Sequence, residues 1–281
     1  PYALTDAQVS AAVHMGFVSG KGAIARVADR VATAVFRWIY TTAPLAPRAF
    51  TRVAKANGVP PLRTVGSLLT ADRNLLTEMP WELEGIDLPA GFERVGPIFA
   101  HIDAPIPAVV EELAREDTPL VYLALGSSAD RRLALTLTGA LGTLPVNVVA
   151  PIRHYLRPDD TVPENIHVTD LLPAHRLGGL VDAAVIHGGQ GTVQTACATG
   201  VPFVGMGLQP EQTWHVRACA SRGNAIALSR KDAGTPAFLD AVRHVLADPG
   251  IRLAADEVRE AYEGADGAAA TARLIEAALA A

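Results

Sequence analysis

The stretch HGGQGT at residues 187–192 gathers, in six positions, groups suited to holding an anion. Gly188, Gly189 and Gly191 leave main-chain amides bare to approaching oxygens. If a helix begins there, its first turn adds unpaired N–H groups and a partial positive charge. Thr192 offers a hydroxyl and His187 an imidazole N–H, so the set could bind a diphosphate without a metal. Glycine loses more freedom on folding than any other residue, and three in four positions imply a backbone that must be bare or unusually bent. The competing reading is a plain strand-to-helix turn, and the flanking residues have to decide.

Those flanks are a strand and a helix. From residue 119 onward, short runs rich in Val, Ile and Leu alternate with Ala-rich helical patterns. Strands are expected near 120–125, 146–150, 166–170, 183–186, 202–206 and 225–228, and helices at 129–142, 174–181, 191–199, 210–222, 236–247, 252–263 and 267–280. Runs that are apolar without alternation indicate burial on both faces, as in a parallel sheet covered by helices. This predicts a doubly wound α/β domain, Rossmann-like in plan, with His187 at the carboxyl end of a strand, where such sheets bind ligands. The first hundred residues look largely helical, with strand character only in VGSLLTADRNLLTE and FERVGPI, too little for a complete α/β domain. Residues 99–118, with Pro105, Pro107 and Pro119 at or just beyond them, read as a linker followed by a short helix at 109–116. The chain begins at Pro1 without a signal-peptide pattern, which suggests a start inside a longer protein.

Bulk composition sets limits. In 281 residues, 49% are apolar and 19% charged with a net charge of −5, a globular balance without the basic cluster of a nucleic-acid footprint. Any anionic ligand is therefore held by local amides and dipoles. Cys197 and Cys219 cannot form a disulfide framework or a zinc site and are expected as buried free thiols. Arg37 interrupts the stretch around Val35–Tyr40, no run is long enough to span a membrane, and the chain reads as soluble and cytoplasmic. A nicotinamide fingerprint would need GxGxxG after the first strand, which instead ends in Gly126, Ser127 and Ser128. A GxxxxGK[ST] loop is absent as well.

The stretch 166–212, IHVTDLLPAHRLGGLVDAAVIHGGQGTVQTACATGVPFVGMGLQPEQ, resembles the donor-site signature of the UDP-glycosyltransferase superfamily, the GT-B enzymes that include plant natural-product and bacterial antibiotic glycosyltransferases. The shared features are a D-x-x-P before a short helix, HGGxGT, GVP and an acid–Gln pair. With VYLALGSS and the linker, the likeness covers residues 95–281 well and the rest loosely. It implies a GT-B plan: a partial acceptor domain at 1–98, a linker at 99–118, a nucleotide-sugar donor domain at 119–262 and a terminal helix at 263–281 packing back on the first domain. It implies inverting transfer from a UDP- or dTDP-sugar to a small-molecule acceptor hydroxyl, with no cofactor, metal or nucleic acid. His187, Gly188, Gly189, Gln190, Gly191 and Thr192, with Ser127 and Ser128 opposite, would hold the diphosphate. Leu171, Leu172, Pro173 and Gln194 would face the nucleoside, and Glu211 and Gln212 the sugar. The alternatives are a non-catalytic nucleotide-sugar-binding homologue or partner subunit and, less well fitted, a sugar-nucleotide epimerase.

The chain departs from that family at several points. Gln194 stands where a ribose-gripping glutamate is usual, which points to a deoxyribose donor such as a dTDP-sugar, and Leu171 replaces a base-stacking aromatic residue. The usual glutamine after the proline is Ala174. The family's catalytic base is a histidine in sequence upstream of Pro1, and His14 reads as a packing or surface residue. Trp214 and His215 follow the acid–Gln pair and could approach a sugar, with helix packing for Trp214 and exposure for His215 as the plainer roles. Trp38 and Tyr40 could line an acceptor cleft.

Overall fold

The computed structural model describes residues 22–280 except 46, 61–62, 69–70, 84–87 and 89; His14 and the helical reading of the chain before residue 22 lie outside them. The chain forms two compact units, residues 1–98 with 266–281, and residues 99–265.

The first unit carries helices α1 (Ala23–Thr41) and α2 (Arg48–Ala56) and two short parallel strands, β1 (Asn74–Leu76) and β2 (Phe92–Arg94). Only part of VGSLLTADRNLLTE becomes strand, since Gly66–Leu68 turns as a 3-10 helix instead. Within α1 the inward face holds Asp29 and Thr33, while Trp38 is 59% exposed and Tyr40 is half-buried, its ring 4.4 Å from that of Phe36.

The second unit is built on one sheet. After α3 (Ala108–Leu113) come β3 (Leu120–Ala124), α4 (Arg131–Leu141), β4 (Asn147–Ala150), β5 (Ile166–Val168), β6 (Ala183–Ile186), α5 (Gln190–Ala198), β7 (Phe203–Gly207), α6 (Pro210–Arg222), β8 (Ala225–Ser229), α7 (Pro236–Ala247) and α8 (Pro249–Tyr262). All six strands are parallel, in the order β5-β4-β3-β6-β7-β8. The reversal of strand order falls between β3 and β6, the topological switch point at which doubly wound sheets bind ligands. Every residue of β6 is buried, as its unbroken apolar run requires, and the core includes Val121, Leu123, Leu137, Val148, Val185, Phe203 and Phe238, none more than 1% exposed.

Local chemistry fixes the helix ends nearest the site. Asp130 caps α4 by accepting from the Leu133 amide at 2.8 Å, and Pro210 opens α6, which Gly223 closes in the left-handed region at φ 87°. The helix expected at 174–181 is reduced to a 3-10 turn, Ala174–Arg176. Gly178 and Gly179 follow, the latter at φ 75°, and they stop propagation before a second turn forms. The last helix, α9 (Gly267–Leu279), belongs to the first unit, where the Gly267 amide donates to the Pro97 carbonyl at 3.1 Å.

Candidate functional site

Two loops leave the sheet side by side at the switch point: residues 125–130 after β3 and residues 187–189 after β6. The His187 amide and its Nδ1 both lie against the Ala124 carbonyl, at 3.2 and 3.3 Å, so the histidine is pinned to the end of the neighbouring strand. A carbonyl only accepts, so Nδ1 carries the proton in this arrangement and Nε2 is the atom left to face a ligand. Burial pushes the imidazole below its ordinary pKa, opposed by the Ala124 carbonyl and by the charge of Glu211.

The glycines are explained by close approach. A β-carbon on Gly189 would lie 2.4 Å from His187 Nε2, and one on Gly126 would lie 2.6 Å from Cε1, so the ring is flanked by two bare α-carbons. Gly188 sits at φ 81°, and a β-carbon there would lie 2.8 Å from the Gln212 carbonyl oxygen in the first turn of α6. Gly191 is different: a β-carbon would meet nothing within 4 Å, and the residue is exposed. Helix α5 follows Gly189 as its N-cap, a residue with no side chain to cap it, and the first turn of a helix presents N–H groups that lack intrahelical partners. Tyr155 steadies the opposite loop by donating its hydroxyl proton to the Gly126 carbonyl.

Across this opening, Glu211 occupies the first turn of α6 and is partly exposed, whereas Gln212 is 3% exposed with both ends of its amide engaged. Its Oε1 accepts from the Leu208 amide and its Nε2 donates to Ser128 Oγ, each at 3.0 Å. In this structure the Gln212 amide links two loops. Gln194 is 2% exposed and is buried along α5 with Val193 and Cys197. His215 is buried at 1%, where exposure was expected, because it shares the inward face of α6 with Gln212, Val216 and Cys219. Trp214, just before it, is half-buried.

Of the residues expected at the nucleoside, Leu171 is 74% exposed, while Leu172 and Pro173 are buried. A small cavity of about 20 Å³ lies between α5, the 3-10 turn at Ala174 and the face of β3 and β6, with Tyr122, Leu177, Thr192, Thr195 and Thr199 in its wall. Sequence reasoning named Thr192 but not Tyr122, Thr195 or Thr199, although residues at positions i, i+3 and i+7 of a helix share a face. Thr195 and Thr199 turn their hydroxyls back to the carbonyls of Gly191 and Thr195, at 2.7 and 2.8 Å, and so present methyl groups to the pocket. Burial pushes the Tyr122 phenol up to about 12. Cys197 and Cys219 are free and buried, with sulfurs 3.6 Å apart. No described helix is long and apolar enough to cross a membrane. Among the described residues no group of three or more His, Cys, Asp or Glu side chains is placed to hold a metal ion.

Residues 135–272 match the family described as Erythromycin biosynthesis protein CIII-like, C-terminal domain. A PGL/p-HBAD biosynthesis glycosyltransferase of Mycobacterium tuberculosis is 31% identical over 193 residues, covering 68% of this chain and 44% of its own length. The 4'-demethylrebeccamycin synthase of Lentzea aerocolonigenes is 34% identical over 213 residues, 74% of this chain and 50% of its own. This chain thus spans about half the length of the curated relatives it matches. Among solved structures, the glycosyltransferase VinC in complex with dTDP aligns with a TM-score of 0.64 at 22% identity, over 90% of this chain and 64% of that one. Spinosyn rhamnosyltransferase SpnG aligns at 0.62 and 22%, over 82% and 62%. The six-stranded parallel sheet, the switch-point loops and these likenesses agree: the fold is of the GT-B type, and the chain belongs to the UDP-glycosyltransferase superfamily.

Proposed function

We propose that the second unit is the donor half of an inverting glycosyltransferase that moves a sugar from a nucleoside diphosphate to an acceptor hydroxyl. The observation that carries this reading is the opening at the switch point, where the His187 ring lies between Gly126 and Gly189 and helix α5 starts directly after Gly189. A diphosphate seated there has the amides of Gly188–Thr192 and the Thr192 hydroxyl on one side and Ser127 and Ser128 on the other. When the acceptor oxygen attacks the anomeric carbon from the face opposite the leaving group, the glycosidic bond to phosphate breaks and negative charge grows on the departing diphosphate. Donors already aimed at that charge lower the barrier without having to reorganise. Glu211, in the first turn of α6 and partly exposed, is placed to accept hydrogen bonds from sugar hydroxyls.

The proposed acceptor is a small molecule, and transfer belongs to the whole protein. A dTDP-sugar is the proposed donor: VinC and SpnG have been solved with thymidine diphosphate. The α5 residues in the pocket wall, Thr192, Thr195 and Ala196, include no carboxylate to grip a ribose hydroxyl. The test is calorimetric titration of the chain with dTDP and UDP, beside His187→Ala. Binding that prefers dTDP and weakens at least tenfold in the variant is the expected result. Equal affinity for the two nucleotides would overturn the donor assignment, and unchanged binding in His187→Ala would overturn the cradle.

A further inference from the structure

Gln212 joins three loops. Its Oε1 accepts from the Leu208 amide at the end of β7, its Nε2 reaches Ser128 on the loop after β3, and its carbonyl oxygen lies 2.8 Å from where a β-carbon of Gly188 would stand on the loop after β6. The polarity of this chain of hydrogen bonds is fixed by its first member. A backbone N–H can only donate, so the end of the carboxamide facing Leu208 is the oxygen. The end facing Ser128 is then the NH2 group, which can only donate, so Ser128 Oγ accepts and its own proton points elsewhere.

Resting on the diphosphate reading above, we infer that Gln212 is a positioning residue that orients the Ser128 hydroxyl as a proton donor to the diphosphate. A hydroxyl that accepts one hydrogen bond donates the next more strongly, and the relay runs Leu208 N–H, Gln212 amide, Ser128 O–H, phosphate. The burial of Gln212 at 3% fits this role, because an amide held on both sides keeps one orientation. It also couples the loops on the two sides of the opening, residues separated by 84 positions in sequence.

The experiment uses ligands without a sugar. Binding of dTDP and UDP is measured calorimetrically for the wild type, Ser128→Ala, Gln212→Met and the double variant, with thermal melts to confirm folding. The relay predicts that each single variant weakens nucleoside diphosphate binding by about fivefold and that the double variant is no weaker than Ser128→Ala. Ser128→Thr, which keeps the hydroxyl, should restore sensitivity to Gln212→Met. Unchanged dTDP and UDP affinity in Gln212→Met, with loss confined to a nucleotide sugar, would overturn the inference and leave the cradle standing. Additive losses in the double variant would overturn it too, marking Gln212 as a purely structural strut. A wild type that binds neither nucleotide would remove the diphosphate reading itself, and the relay with it.

Discussion

Alanine at Gly189 and alanine at Gly191 should have opposite effects on the empty protein and the same effect on binding. Gly189 has φ −60° and ψ 139°, which alanine adopts without strain, so the substitution tests packing alone. Its β-carbon would start 2.4 Å from His187 Nε2 and 3.1 Å from Cε1, roughly 1 Å inside ordinary van der Waals contact. The ring cannot simply retreat, because Gly126 closes its other side and Nδ1 is held by Ala124. Overpacking of this kind costs about 1–3 kcal/mol, reduced by the ~0.4–1 kcal/mol that alanine contributes by restricting the unfolded chain. A shift of about 1 Å in Nε2 removes most of a charge-assisted hydrogen bond worth about 1.5–3 kcal/mol, so dTDP affinity should fall roughly 10- to 100-fold. Gly191→Ala enters open space in the first turn of α5, where alanine is the better helix former by up to about 1 kcal/mol, so the empty protein should melt higher. Its methyl group nevertheless occupies the face the phosphate needs, and affinity should fall here also. Differential scanning fluorimetry and calorimetry read both effects. Wild-type affinity in Gly191→Ala would refute the placement of the phosphate on the start of α5.

Other consequences can be measured independently. With Nδ1 committed to the Ala124 carbonyl, Nε2 can donate to phosphate only when the ring takes up a second proton. Binding then raises the His187 pKa from its depressed value, and the affinity this supplies is complete below the free-state pKa and lost as pH rises through the bound-state pKa. Between pH 7 and 8.5, where the terminal phosphate is already ionised, dTDP affinity should fall by up to about tenfold per pH unit, and calorimetry in buffers of different ionisation enthalpy should register proton uptake approaching one. No uptake would show that Nε2 does not donate. Tyr155→Phe should weaken dTDP binding several-fold with a stability loss of about 1 kcal/mol, because the Gly126 loop loses its hydroxyl anchor; equal binding would leave that anchor without a role in the site. Phe203→Ala, at 0% exposure in β7, should cost about 3–5 kcal/mol in urea unfolding, and a loss under 1 kcal/mol would contradict the described core.

The second unit was readable because its strands are apolar throughout and its two site loops carry glycine directly after a strand. Both features depend only on residues near one another in sequence. The helix expected at 174–181 failed on a local detail, two glycines that end it after one 3-10 turn. The burial of Gln194 and His215 was not legible for a different reason. Each is polar on a helix whose two faces are both partly covered, α5 and α6 having Val193 and Cys197 or Val216 and Cys219 inward, so composition gives no clue to which side a polar residue takes. The engagement of Gln212 was invisible because its partner Ser128 lies on another loop, brought near only by the parallel crossover of the sheet. In the first unit, β1 and β2 are three residues each, and runs that short leave little periodicity to detect.

The most direct test of the account is amide chemical-shift mapping of the labelled chain titrated with dTDP. Saturable shifts concentrated in the amides of Gly188–Thr192, with smaller ones at Ser127 and Ser128, are the predicted result. Saturable binding whose shifts fall elsewhere on the second unit and leave residues 188–192 unmoved would contradict it.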